Sequence, residues 1–205
     1  MYDQLLGKVE EYYTDKVLTY GTNHKGVDWN SRESQETRYE QLLKVCNEKE
    51  KFTIIDYGCG YGYLFEYMKS KSYNFEYYGF DISEEMVNKA KQIYKANNCT
   101  FFNNTNTDIK TDYCVASGIF NVKFDTNYEK WAEYILNVLN EINNKTTRGF
   151  SFNCLTKYSD KEYMKDNLYY GDPFYFFDYC KKHFSRNVAL LHDYNLYEFT
   201  IIVRK

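Results

Sequence analysis

Apolar positions recur with two different periods along this chain of 205 residues. Residues 52 to 57 (FTIIDY) form a short apolar run that ends at glycines, as a buried strand does, while 61 to 71 has helical spacing and 74 to 81 is strand-like again. Ser83, Glu84 and Glu85 then open an amphipathic helix through MVNKAKQIYKA, with a capping side chain and acids at the positive end of the helix dipole. CTFF (99 to 102) and DYCVASGIF (112 to 120) are the next strands. Ile135, Val138, Leu139 and Ile142 share one face of a helix over 131 to 142, and RGFSFNCLT (148 to 156) returns to strand. Pro173 starts a further helix that ends near His183. VALLHDY and LYEFTIIV lie too close together for a helical crossover, which makes them an antiparallel hairpin.

The pattern therefore predicts an α/β fold of three α-β-α layers. About seven strands form a mostly parallel open sheet of five βα units closed by the C-terminal antiparallel hairpin. Helices over 3 to 18 and 31 to 46 form an N-terminal helical cap, the second opened by Asn30 or Ser31 with Glu33 or Ser34 available for capping. The expected organisation is a cap (1–48) and a main domain (49–205) that fold as one unit.

Composition removes several function classes. With 43% hydrophobic and 20% aromatic residues the chain is not intrinsically disordered. The 24 Tyr and 15 Phe beside a single Pro fit drift in an AT-rich genome better than base-stacking machinery. A net charge of -3, with the basic residues scattered, argues against a nucleic-acid partner. No stretch approaches the roughly 18 apolar residues of a membrane span, and the first twenty residues lack the basic start and apolar run of a Sec signal. The six cysteines show neither C-x-x-C pairs nor zinc-ligand spacing, so they are expected as isolated thiols in a reducing, cytoplasmic setting.

The chemistry concentrates in IIDYGCGYGYL (54 to 64), where an apolar strand carries Asp56 and then Gly58, Gly60 and Gly62 before a helix. Glycines at such a corner turn sharply at positive φ and let a ligand lie against backbone N–H groups. A G-x-G-x-x-G dinucleotide loop needs its third glycine at position 63, which is Tyr63. The spacing here is D-x-G-x-G-x-G, followed by Asp81 nineteen residues after Gly62.

On these residues the segment 52 to 205 resembles the class I S-adenosylmethionine-dependent methyltransferases, with their Rossmann-like sheet. The resemblance implies that Asp81, with Ile82 beside it, holds the cofactor ribose through two acceptor oxygens. Met86 would pack on the adenine, or else fill the core. Asp56 and the glycine loop would hold the methionine end, and Ser117 would touch the cofactor from the fourth strand. HKGVDWNSRESQETRYEQL, ASGIFNVK and YEFTIIVRK look like a compact bacterial subgroup of small-molecule or surface-glycan type. That match draws attention to His24, Asp28, Trp29, Gln35 and Arg38. Arg38 would pair with the cofactor carboxylate or remain a solvated helix residue, and Trp29 would stack on the ligands or anchor the cap.

The acceptor crevice is expected outside the carboxyl ends of the strands. Ser117-Gly118-Ile119-Phe120-Asn121 there lacks the Asn/Asp-Pro-Pro-aromatic motif of base-amine methyltransferases, and no Pro-Cys nucleophile exists. Phe120, Asn121 and Lys123, with Tyr170 and Asp172 on the far wall, are the candidate acceptor contacts. His24 and His192 are the candidate bases, and Asp193 is discounted as the partner of His192 because adjacent strand residues face opposite ways. The expected activity is transfer of the methyl group of S-adenosylmethionine to a small-molecule or glycan-precursor acceptor, with oxygen as the expected acceptor atom. No metal is required by the motifs, and the oligomeric state is left open. The alternatives are a non-catalytic S-adenosylmethionine- or S-adenosylhomocysteine-binding module and a nicotinamide-dependent oxidoreductase.

Overall fold

Capping chemistry fixes where the helices begin. In the computed structural model, which describes residues 2–105 and 107–205, a first helix α1 (Tyr2–Tyr20) is followed by a 3-10 turn (His24–Val27) and by α2 (Arg32–Leu43). Ser31 caps α2 in a reciprocal box: its hydroxyl accepts from the Ser34 amide at 3.0 Å, while Ser34 Oγ accepts from the Ser31 amide at 3.3 Å. The succeeding elements are β1 (Phe52–Tyr57), α3 (Tyr63–Ser70), β2 (Phe75–Phe80), α4 (Glu84–Ile93), β3 (Cys99–Phe102) and β4 (Thr111–Ala116). After them come α5 (Tyr128–Lys145), β5 (Thr146–Leu155), α6 (Pro173–His183), β6 (Asn187–Leu191) and β7 (Glu198–Arg204). Ser83, Asn127 and Asp172 each cap the helix that follows through a side-chain oxygen.

The seven strands form one sheet in the order β3-β2-β1-β4-β5-β7-β6, with β7 antiparallel to both of its neighbours and the other pairs parallel. Helices α2, α3 and α4 cover one face around Leu42, Leu64, Met68 and Val87; α5 and α6 cover the other around Trp131, Ile135, Leu139 and Phe176. Burial on both faces explains why the central strands read as continuous apolar runs. Ser151 Oγ on β5 donates to the Leu42 carbonyl at 2.8 Å, which ties α2 directly onto the sheet.

Three expectations are corrected. The third βα unit has no helix among the described residues: 103–105 and 107–110, between β3 and β4, form none, and the segment is too short and too polar to span the sheet as a helix. The fourth strand stops at Ala116, where Gly118 takes φ +74 and turns the chain. The sixth strand stops at Leu191, so His192 lies on an exposed connection beyond it. Helix α1 crosses the carboxyl edge of the sheet, with Val17 and Tyr13 in the first core cluster and Val9 against the second. All six cysteines are free thiols, and among the described residues no helix is long and apolar enough to cross a membrane.

Candidate active site

The carboxyl ends of β1, β2, β3 and β4 open into a cavity of about 500 Å³, roofed by α1 residues Leu6, Val9 and Tyr13. The glycine loop forms its floor. Gly58, Gly60 and Gly62 all have positive φ, and Gly58 is the clearest case of close approach: a Cβ there would meet Ile119 Cγ2 at 2.2 Å. A Cβ at Gly118 would meet the Trp29 ring at 2.4 Å. The loop does not, however, offer its amides freely. Gly58 and Cys59 N–H both donate to the Phe80 carbonyl, Gly62 N–H donates to Cys59, and Gly60 N–H donates to Asp81 Oδ2 at 2.7 Å. The glycines supply room against the backbone rather than a row of empty donors.

The Gly60–Asp81 bond joins the two most specific sequence features. The second Asp81 oxygen accepts from the Ser83 amide at 2.9 Å, and Ser83 in turn caps α4. Burial pushes the Asp81 carboxyl up to about 6, against the lowering effect of these two amides. Asp56 at the end of β1 is 3% exposed and accepts from Tyr77 Oη at 2.6 Å. Burial raises it further, to about 7, although the Tyr77 bond opposes the shift.

The roof is tied down by polar contacts. Thr14 Oγ1 and Ser83 Oγ share a hydrogen bond of 2.7 Å, and Tyr12 and Lys16 donate to Asp28, which sits at φ 62 after the 3-10 turn. Trp29 lies between Gly118 and the Arg38 guanidinium, whose carbon is 4.0 Å from the ring centroid. Arg38 itself is committed elsewhere. Its Nε and Nη2 bind Glu198, itself 1% exposed, at 2.7 to 2.9 Å. Asn153 bridges onward, donating to Glu198 at 2.6 Å and accepting from the Gly118 amide at 2.7 Å.

Of the residues singled out from the sequence, Trp29, Gln35, Asp56, Gly58, Gly60, Asp81, Ile82 and Ser117 line the cavity together. The others do not. Gly62 caps α3 and packs under Phe101 and Tyr94; Met86 is core filling at 1% exposure; and the Arg38 fork is spent on Glu198 rather than left for a ligand carboxylate. His24 lines a smaller, adjoining cavity with Arg32 and Glu66, on the other side of Gln35, Tyr61 and Tyr63, and His192 lies on the surface with its ring tilted against that of Tyr158. The acceptor set lies outside the cavity lining as well. Phe120 is fully buried, Asn121 accepts from the Leu155 amide, and Lys123 donates to the Phe124 carbonyl. Tyr170 accepts from the Lys165 amide, while Asp172 caps α6 and pairs with Lys157.

Residues that sequence reasoning missed complete the wall: Tyr13, Tyr39, Tyr57, Tyr61, Ile119, Glu141 and the run Asn103-Asn104-Thr105. Only the last carried a signal, since it follows directly on a strand. Among the described residues no Lys, Arg or His lines this cavity, whereas Asp56, Asp81 and Glu141 do. Two buried polar atoms on its wall, Gln35 Oε1 and Ser117 Oγ, have no hydrogen-bond partner. A cradle of glycines, orphaned polar atoms and unbalanced carboxylates fits a bound cation with groups that hydrogen-bond.

Comparison with known proteins gives a consistent result. A family model described as "Methyltransferase domain" matches residues 54–143. The curated Mycobacterium tuberculosis protein named "Putative methyltransferase Rv1506c" is 46% identical over 164 residues, which cover 80% of this chain and 99% of that protein. Among solved structures, magnesium protoporphyrin IX methyltransferase from Synechocystis PCC 6803, with bound SAH, superposes with a TM-score of 0.68 at 17% identity. That match covers 98% of this chain and 99% of the other. Human N-acetylserotonin methyltransferase, in complex with SAM, gives a TM-score of 0.61 at 14% identity over 84% of this chain and 53% of that one. At these identities the structural likeness is one of fold.

Proposed function

The chain belongs to the methyltransferase family, and on that premise we propose that it transfers the methyl group of S-adenosylmethionine to a small, uncharged or cationic acceptor held under α1. The observation that carries the reading is Asp81, bonded to Gly60 N–H on the floor of a cavity that, among the described residues, is lined by three carboxylates and no basic side chain. S-adenosylmethionine supplies an electrophilic methyl group on a sulfonium cation. Asp81 accepts from the ribose hydroxyls, Ile82 and the Asn103-Asn104-Thr105 run face the base, and Asp56 offsets positive charge at the end of β1. α1 and the 3-10 turn act as the cap, excluding water and aligning an acceptor lone pair with the departing sulfur.

The same charge balance weighs against the alternatives. A dinucleotide or a nucleotide-activated glycan precursor brings a pyrophosphate, which needs free amides or cations, and here the loop amides are internally bonded. The acceptor narrows accordingly to a small molecule without phosphate. Among the described residues no histidine lines the cavity, so the proton of a hydroxyl acceptor leaves to a cavity carboxylate or to water. Calorimetric titration with S-adenosylhomocysteine tests the cofactor assignment. We expect micromolar binding that Asp81→Ala weakens at least about tenfold, since each hydrogen bond to a charged group contributes about 1.5–3 kcal/mol. A folded protein that does not bind the ligand returns the site to a non-catalytic or nicotinamide reading.

A further inference from the structure

Gln35 is 2% exposed and sits on the cavity wall, yet its Oε1 has no hydrogen-bond partner. A carbonyl taken out of water and left unpaired carries a desolvation penalty that a ligand N–H removes. The rest of the side chain is fixed. Nε2 donates to Tyr39 Oη at 2.9 Å across one turn of α2, and the amide also hydrogen-bonds Tyr61. Burial holds the Tyr39 hydroxyl well above its ordinary range and the Tyr61 hydroxyl up to about 12, so both keep their protons and remain donors at neutral pH. Asp56 is close enough to Tyr39 to contribute to that rise.

This corner therefore offers an orphaned acceptor, a carboxyl group and two phenolic donors; among the described residues no basic side chain lines the main cavity, while Arg32 and His24 line the smaller cavity that Gln35 and Tyr61 also border. Such a set suits a group that is neutral overall but carries both charges, as an α-amino acid does. The ammonium takes Gln35 Oε1 and Asp56, and the carboxylate takes the phenolic protons. Sheet order supports the placement. Along the carboxyl edge, Asn103-Asn104-Thr105 follow β3, Asp81 follows β2 and Asp56 lies on β1, where its charge reaches Tyr39 of α2, the hydrogen-bond partner of Gln35. An adenosyl amino acid presents base, ribose diol and amino-acid group in that sequence. We infer that Gln35 reads the ammonium of the ligand's amino-acid end in place of a charged residue. The inference rests on the S-adenosylmethionine reading.

The test compares two ligands that share base, ribose and thioether: S-adenosylhomocysteine, which has the amino-acid group, and 5'-methylthioadenosine, which lacks it. Calorimetry is run on the native protein, Gln35→Leu and the conservative Gln35→Glu, with thermal unfolding to confirm the fold. Gln35→Leu should weaken S-adenosylhomocysteine about ten- to hundredfold and leave 5'-methylthioadenosine within about twofold. Gln35→Glu should retain S-adenosylhomocysteine, because a carboxylate also accepts from an ammonium. Equal loss for both ligands, or no loss, overturns the assignment. So does loss of S-adenosylhomocysteine binding in Gln35→Glu, which would mean that the amide faces the carboxylate instead. A native protein that binds neither ligand overturns the cofactor reading itself, and does so without reference to any Gln35 variant.

Discussion

Two carboxyl groups set the pH response of the site, and they act on binding and on stability in opposite directions. Asp56 and Asp81 are raised by burial to about 7 and about 6. A raised carboxyl binds its proton more tightly in the folded than in the unfolded chain, so its contribution to stability is present at low pH and lost as pH rises toward the folded value. Ligand binding runs the other way, because a cation and two ribose hydroxyls require the ionised forms. S-adenosylhomocysteine affinity should fall at least about tenfold between pH 7 and pH 5, since Asp81 alone, an acid of pKa near 6, is only about one-tenth ionised at pH 5. The ligand-free protein should become less stable from pH 5 to pH 8 by an amount that Asp56→Asn reduces. Calorimetry and urea denaturation across that range measure both; a flat affinity profile would mean that neither carboxyl is held protonated by its burial. The pattern D-x-G-x-G-x-G marked both acids, but not the bond that joins Asp81 to Gly60, because nothing in the spacing says which amide the carboxylate will meet.

Among the elements, α2 is held by a pairing that its sequence hides. The Arg38–Glu198 bridge links residues 160 apart, and through Asn153 it also fixes the Gly118 turn on which Trp29 rests. Removing one partner leaves a charge stranded in the interior, so Arg38→Met should cost about 3–5 kcal/mol in equilibrium urea denaturation. The double variant Arg38→Met with Glu198→Leu should recover most of that loss. If the single variant is as stable as the native chain, the bridge does not hold α2. A helix Arg at this position reads equally well as solvated, since the partner arrives only when β7 inserts between β5 and β6. The antiparallel pairing of β6 with β7 follows from the short connection that forbids a crossover, and that was visible in the spacing; that β7 rather than β6 lies beside β5 was not. The missing third helix was not, because an eight-residue polar segment carries no period of its own.

At the scale of the whole molecule, the cavity spans the carboxyl edge of the sheet and is closed above by α1, so a ligand there bridges both faces and the roof. Binding should therefore stabilise the fold as one unit. At about one hundred times the dissociation constant the gain is about 2.7 kcal/mol, which for a chain of this size raises the melting temperature by about 5–10 °C. Differential scanning calorimetry with S-adenosylhomocysteine checks the shift, and its absence at saturating ligand would show that the cavity does not couple to the global fold. The sequence by itself determined the layers, the reversed strand at the end, the glycine loop and Asp81, because each is encoded locally by periodicity, turn chemistry or a short fixed spacing. Only the tertiary structure decided that Arg38 is spent on Glu198, that His24 and His192 lie away from the cavity, and that Gln35, Tyr39 and Tyr61 enter it. Those outcomes depend on which distant side chains meet when α2 docks on the sheet and α1 crosses its edge, and such long-range pairing leaves no mark on local pattern.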